Sequence, residues 1–180
     1  MKKLFYFFIV LVVALYSCKK STTPAPAPPV ITYGDFAISS GTIALLTLNF
    51  TDADGDIGLN QNDTIGLYAK NTVGYYDFYM RYYYWSKHFN KFMSYSYAYN
   101  PGNNYIDSGI VTYRIPFVTN NTKNKGLDGQ IIVDLNQYKP LPNSVYSNDS
   151  LTTFRFDIWI YDRALHKSNV VTTPTFTTAN

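Results

Sequence analysis

From Ile31 onward apolar and polar residues alternate with a period of two, and the runs are separated by Gly, Asn, Asp and Ser. That period is the pitch of a β-strand, whose successive side chains point to opposite faces. Ile43–Phe50 puts Ala44, Leu46, Leu48 and Phe50 on one face. Tyr75–Trp85 and Phe89–Tyr99 are two aromatic runs that read as a hairpin around Ser86-Lys87-His88. Ile110–Val118 aligns Val111, Tyr113, Ile115 and Phe117, and Gln130–Leu135 aligns Ile131, Val133 and Leu135. Thr153–Tyr161 has the cleanest pattern, with Phe154, Phe156, Ile158 and Ile160 inward and Arg155, Asp157, Trp159 and Tyr161 outward. A short strand over Ile31–Ile38 and a last one over Val170–Thr177 complete the set. About eight strands, no helix and no internal repeat predict an all-β, two-sheet antiparallel sandwich. A small barrel is the alternative.

The first residues follow another pattern. Lys2 and Lys3 precede an apolar run from Leu4 to Leu15, which is shorter than the roughly 20 residues that span a bilayer. A charged start, an apolar middle and a small residue before a cut form a secretory signal. Leu15-Tyr16-Ser17-Cys18 resembles the lipobox of bacterial lipoproteins, in which the cysteine is lipidated and becomes the first mature residue. Cys18 is the single cysteine of the chain. The alternative is an uncleaved membrane anchor. Residues 18–30 hold KKSTTPAPAPPV after the cysteine. Proline at that density blocks helix and sheet and favours extended geometry, so this stretch reads as a tether of about 3.1 Å per residue, on the order of 35 Å in all. The expected organisation is a signal peptide over 1–17, a lipidated Cys18 and Pro-rich tether over 18–30, and a β-sandwich over 31–180.

Composition narrows the function. Removing 17 of 180 residues leaves a mature chain of 163 residues, one domain with room for a core. The formal charge of +3 falls to +1 without Lys2 and Lys3, and such balance gives no footprint for nucleic acid. Acylation of Cys18 leaves no thiol for a disulfide, a metal or nucleophilic chemistry. All 12 acidic residues are Asp, a residue of turns and loops rather than helix interiors.

The sharpest motif is Thr51-Asp52-Ala53-Asp54-Gly55-Asp56-Ile57-Gly58-Leu59-Asn60. Three carboxylates at alternate positions repel one another unless a charge neutralises them, and a hard cation taking six to eight oxygens does this well. Against the EF-hand template, Asp52, Asp54, Asp56 and Asp63 fall on positions one, three, five and twelve. Position six is Ile57, position twelve is not Glu, and the flanks are strands, so the loop is not an EF-hand. It reads as an acidic calcium loop between strands, or as a plain Asx-rich turn. The loop after Thr153–Tyr161 carries Asp162 and Asn169 and should lie at the same end of a sandwich, where Asp162 can join the site. Alternatively Arg163 pairs with the acidic loop and no metal is needed.

LTLNFTDADGDIG, with FRFDIWIYDRALHKSNVVTTP near the end, resembles a group of small lipoproteins from Bacteroidota. Those carry a lipobox, a proline or threonine tether and one immunoglobulin-like or fibronectin type III-like sandwich. The resemblance implies that fold here and a place in the cell envelope, lipid-anchored at the outer membrane. Lys19 departs from the acidic export signals associated with surface display in that group, which leaves both the periplasmic and the surface face open. Asp63-Thr64-Ile65 and Asp149-Ser150-Leu151 match a short O-glycosylation pattern reported for Bacteroidota.

Both faces of the aromatic hairpin are aromatic. Tyr76, Phe78, Met80, Tyr82 and Tyr84 form one set, and Tyr75, Tyr79, Tyr83 and Trp85, with Asp77 and Arg81, form the other. One fills the core. The other either stiffens the hairpin through cross-strand pairs or exposes a strip, Tyr79, Tyr83 and Trp85, that stacks on sugar rings or docks a protein. His88 and His166 fall in turns with no nucleophile elbow, zinc pair or phosphate loop nearby, and read as solvated. The expectation is a non-enzymatic module bound to the membrane by lipid and presenting a surface to an envelope protein partner; the alternative is a carbohydrate-binding lipoprotein.

Overall fold

A computed structural model describes residues 27–39, 43–94, 110–118, 126–135 and 153–177. The signal segment, Cys18, most of the tether, Tyr95–Tyr99 and Asp149-Ser150-Leu151 lie outside the described residues. Among the described residues the nine strands are β1 (Val30–Ser39), β2 (Ile43–Asp52), β3 (Phe78–Ser86), β4 (Lys91–Ser94), β5 (Ile110–Tyr113), β6 (Leu127–Asp134), β7 (Thr153–Ile160), β8 (Val171–Thr172) and β9 (Phe176–Thr177). They form two antiparallel sheets. One has the order β1-β2-β6. In the other, β3 pairs with β7, β4 and β5 lie along the far edge of β3, and β8 and β9 lie along the far edge of β7. This is the expected two-sheet sandwich.

The alternating residues fill the space between the sheets. Leu46, Leu48 and Phe50 from β2, Val133 from β6, Phe78 and Met80 from β3, and Phe154, Phe156, Ile158 and Ile160 from β7 are buried in one core. A fully buried side chain of this size contributes ~1.5–3 kcal/mol. Register is therefore strongly specified, because a slip of one residue would turn each inward set to solvent.

Three local expectations change. The strand foreseen from Tyr75 starts at Phe78, since Val73–Tyr75 is a 3-10 turn. Tyr76, expected inward, is 37% exposed, whereas Asp77 is buried. Asp77 sits at a junction of three segments: its N–H donates to Tyr113 O, its O accepts from Tyr161 N, and its Oδ1 accepts from Ile115 N at 2.6 Å. Burial pushes its carboxyl up to about 7, against those hydrogen bonds and the nearby Arg114 and Arg163 charges. The last strand divides into β8 and β9 around Thr173 and Pro174, where proline has no N–H to give. Thr173 still bonds β7, donating to Phe156 O at 2.9 Å and accepting Phe156 N on Oγ1 at 3.0 Å.

The register fixes which loops meet. Val30 pairs with Thr51, and Phe78 with Ile160. The start of β1, the end of β2, the start of β3 and the end of β7 therefore share one end of the sandwich. Two links tie the sheets together there. Asn169 accepts Ile31 N on Oδ1 and donates Nδ2 to Ile31 O, both at 2.8 Å, and Ile57 bridges Asp162.

Candidate metal centre

β2 ends at Asp52, which is 1% exposed although it carries a carboxyl. The chain then turns, with positive φ at Gly55 (73°) and Gly58 (90°), a region that glycine enters without the Cβ penalty. At Gly58 space is also decisive: a Cβ there would lie 2.5 Å from Pro116 O. The turn brings the backbone back over Asp52, whose Oδ2 accepts Asp56 N at 2.8 Å and Ile57 N at 3.1 Å.

The remaining oxygens are the telling ones. Oδ1 of Asp52, of Asp54 and of Asp56 are all buried without a hydrogen-bond partner. One carboxylate oxygen from each residue lies within 4.8 Å of the others. Unpartnered buried oxygens carry a desolvation cost, and three carboxylates this close add mutual repulsion. Burial, then the Asp54 carboxyl beside it, pushes Asp52 up to about 7. Asp56 is raised by burial and by the charges of Asp162 and Asp54.

Arg163 relieves this cluster only in part: its backbone N–H donates to Asp56 O at 3.3 Å, its Nη1 donates to Gly58 O at 3.3 Å, and its charge favours ionised Asp56. The same Nη1 lies 2.6 Å from Asp63 Oδ2, and the guanidinium covers the rings of Tyr68 and Phe117. Asp63, the EF-hand position-twelve candidate, also accepts Asn60 N at 2.8 Å and so belongs to this neighbouring clasp.

Asp162 is buried at the same end, and His166 takes both its oxygens: His166 N donates to Oδ1, and Nδ1 lies 2.7 Å from Oδ2. The structure thus unites Asp52, Asp54 and Asp56 but does not bring the Asp162 carboxylate into that group. His166, expected to be a solvated turn residue, is still 37% exposed at its side chain but is paired with Asp162. The Asp162 carboxylate, and then the charges of Asp54 and Asp56, raise its pKa. The available signal was the Asp-x-x-x-His spacing around Leu165, which holds a positive φ of 65°.

Tyr79, Tyr83 and Trp85 share the outer face of β3, all half-buried. Tyr79 stacks parallel to Trp159 of β7, with centroids 5.5 Å apart, and Trp85 meets Phe92 of β4 edge-on. Arg155 spans Tyr83 and Phe92, and Arg81 and Lys167 lie over Trp159. The cross-strand pairing anticipated for this face is present.

Comparison of the chain with protein-family models, with curated proteins and with solved structures returns no match.

Proposed function

We propose that this chain is a lipid-anchored, non-enzymatic binding module of the cell envelope whose loop end is completed by a calcium ion. The observation that carries the metal is the trio of buried, unpartnered Oδ1 atoms on Asp52, Asp54 and Asp56. All the donors are hard oxygens, which suits calcium or magnesium rather than softer metals. Asp54 and Asp56 are only half-buried, so water can complete a six- to eight-oxygen shell. Three converging carboxylates on an irregular loop favour calcium, which accepts flexible geometry and many protein oxygens, over magnesium, which demands a rigid octahedron and usually keeps most of its waters. Asp162 contributes negative potential beside the ligands while its oxygens hold His166.

The envelope location draws on the lipobox-like Leu15-Tyr16-Ser17-Cys18 and the Pro-rich tether. No helix of the described residues is long and apolar enough to cross a membrane. The resemblance to small Bacteroidota lipoproteins supports an anchor at the outer membrane, and an envelope protein is the partner we propose for the exposed surface. Melting the protein in calcium and in chelator tests the metal. A calcium shift lost in Asp54→Asn with Asp56→Asn supports it, and coinciding curves for the parent chain remove it.

A second reading is carbohydrate binding by Tyr79, Tyr83 and Trp85. It is favoured by the half-buried rings on one open sheet face, a surface on which sugar rings stack. A glycan array tests it, and the absence of any retained glycan removes it.

A further inference from the structure

Nine large apolar side chains stand exposed among the described residues, and six of them, Val30, Ile65, Leu67, Val73, Tyr76 and Val170, lie at the end of the sandwich where the chain enters. Ile65, Leu67 and Val73 are the most exposed of the nine, at 81%, 64% and 62%. They belong to the β2–β3 connection, whose two 3-10 turns pack on each other. Thr72 Oγ1 donates to Leu67 O at 2.6 Å, and a Cβ on Gly74 would lie 2.5 Å from that same oxygen. The turns are also fixed to the domain, since Tyr68 OH donates to Arg163 O at 2.7 Å and Arg114 donates to Tyr75 O, Asn60 O and Asp63 O. A rigid loop that holds aliphatic side chains out in water is unusual without something to cover them.

The route of the chain says what that is. β1 begins at Val30, at this same end, and Ile31 is held there by Asn169. The segment between Cys18 and Val30 spans at most the ~35 Å of an extended tether. A lipid on Cys18 therefore keeps this end, ahead of the opposite one, within reach of the bilayer.

We infer that the two 3-10 turns form a lipid-docking surface that seats Ile65, Leu67 and Val73 in the interface of the membrane holding the anchor; this rests on the lipid-anchor reading above. Partly inserted apolar side chains bind an interface in proportion to the area they bury. The tether makes the contact intramolecular, so a weak contact suffices. Exposed Lys70, between the turns, suits anionic headgroups. Calcium on Asp52, Asp54 and Asp56 removes the repulsion those carboxylates would otherwise exert on the same headgroups.

The test uses the full chain, expressed in a lipoprotein-processing bacterium and reconstituted with calcium into phosphatidylethanolamine–phosphatidylglycerol vesicles. Leu67→Cys is labelled with an environment-sensitive fluorophore, and Lys87→Cys, beyond the far end of β3, is the control. Docking predicts a blue shift and quenching by a lipid-borne nitroxide at residue 67, neither effect at residue 87, and loss of both when Ile65→Asp is added. A label at residue 67 that reports water overturns the docking whether or not the protein floats with the vesicles. A shift seen only in native envelope membranes, and not in pure lipid, assigns the surface to a protein and also overturns it. The parent chain, with Cys18 as its single cysteine, is labelled in parallel. If it takes the fluorophore and fails to float, the lipid-anchor reading fails, and docking is then judged on the difference between the variant and parent spectra.

Discussion

Arg163 reaches past the three clustered aspartates to Asp63, with Nη1 2.6 Å from Oδ2. The Arg163 guanidinium thus closes a neighbouring clasp, and its charge reaches the cluster only at a distance, through Asp56. Arg163→Ala should lower stability by about 1–2 kcal/mol, because two partly exposed cation–π contacts contribute ~0.5–1 kcal/mol each. The calcium-induced melting shift should survive it. Loss of that shift in Arg163→Ala, measured by differential scanning fluorimetry, would merge the two features into one site.

Asp52 separates structure from metal. Its Oδ2 holds the N–H groups of Asp56 and Ile57, so Asp52→Ala should cost about 1–3 kcal/mol for the donors it strands. Asp52→Asn keeps the shape and removes a costly charge, and in chelator at neutral pH it should melt no lower than the parent. Both variants should lose the calcium response. In the parent, calcium at about 100 times its Kd should add roughly 2.7 kcal/mol, or ~2–4 °C of melting temperature per kcal/mol.

The pH dependence follows from the sign of the shifts. Asp52 and Asp77 are both pushed up to about 7 from 3.8 in the folded chain. Between those values the folded state holds more protons than the unfolded state, so stability falls as pH rises. His166, also raised, adds stability at low pH that is lost as pH climbs through its folded pKa. In chelator the melting temperature should therefore decline from about pH 4 to about pH 7. Calcium favours the ionised carboxylates, so its stabilising shift should grow over the same range. A calcium shift as large at pH 5 as at pH 8 would argue against carboxylate ligation.

Thiol acylation requires the sulfur of Cys18. Cys18→Ser should leave an unlipidated form that moves to the aqueous phase in detergent partitioning, or an uncleaved precursor visible by mass. Identical partitioning and mass for mutant and parent would remove the lipoprotein reading.

On the outer face, Trp85 is half-buried and meets Phe92 edge-on. Trp85→Ala should cost on the order of 1–2 kcal/mol, within the range of a lost aromatic pair and part of its buried area. If the strip binds sugar, the same change should abolish retardation in affinity electrophoresis, and unchanged retardation would place any glycan elsewhere.

Much of the fold was legible because one face of each strand is buried. β7 shows its inward and outward sets directly, and β2 and β6 follow the same rule. The acidic loop was legible as a motif, since no other stretch spaces carboxylates so closely. Less visible was what depends on where chains cross. Asp77 reads as the outward neighbour of Tyr76 and Phe78, yet it lies just before the strand, where the Tyr113–Ile115 and Tyr161 segments converge on its polar groups. His166 reads as a solvated turn residue until the left-handed turn at Leu165 folds it onto Asp162. Local alternation carries no information on either crossing.

The clasp between Ile31 and Asn169 also sets how this domain bears load. The chain enters at Ile31, whereas β9 pairs with the first residues of β7 at the opposite end. Tension between the tether and anything gripping the far end would run parallel to the strands. Their hydrogen bonds lie across that direction and would be sheared together rather than peeled one by one. Asn169 distributes the first pull to both sheets, so the domain would resist stretching along its long axis before any single strand could be drawn away.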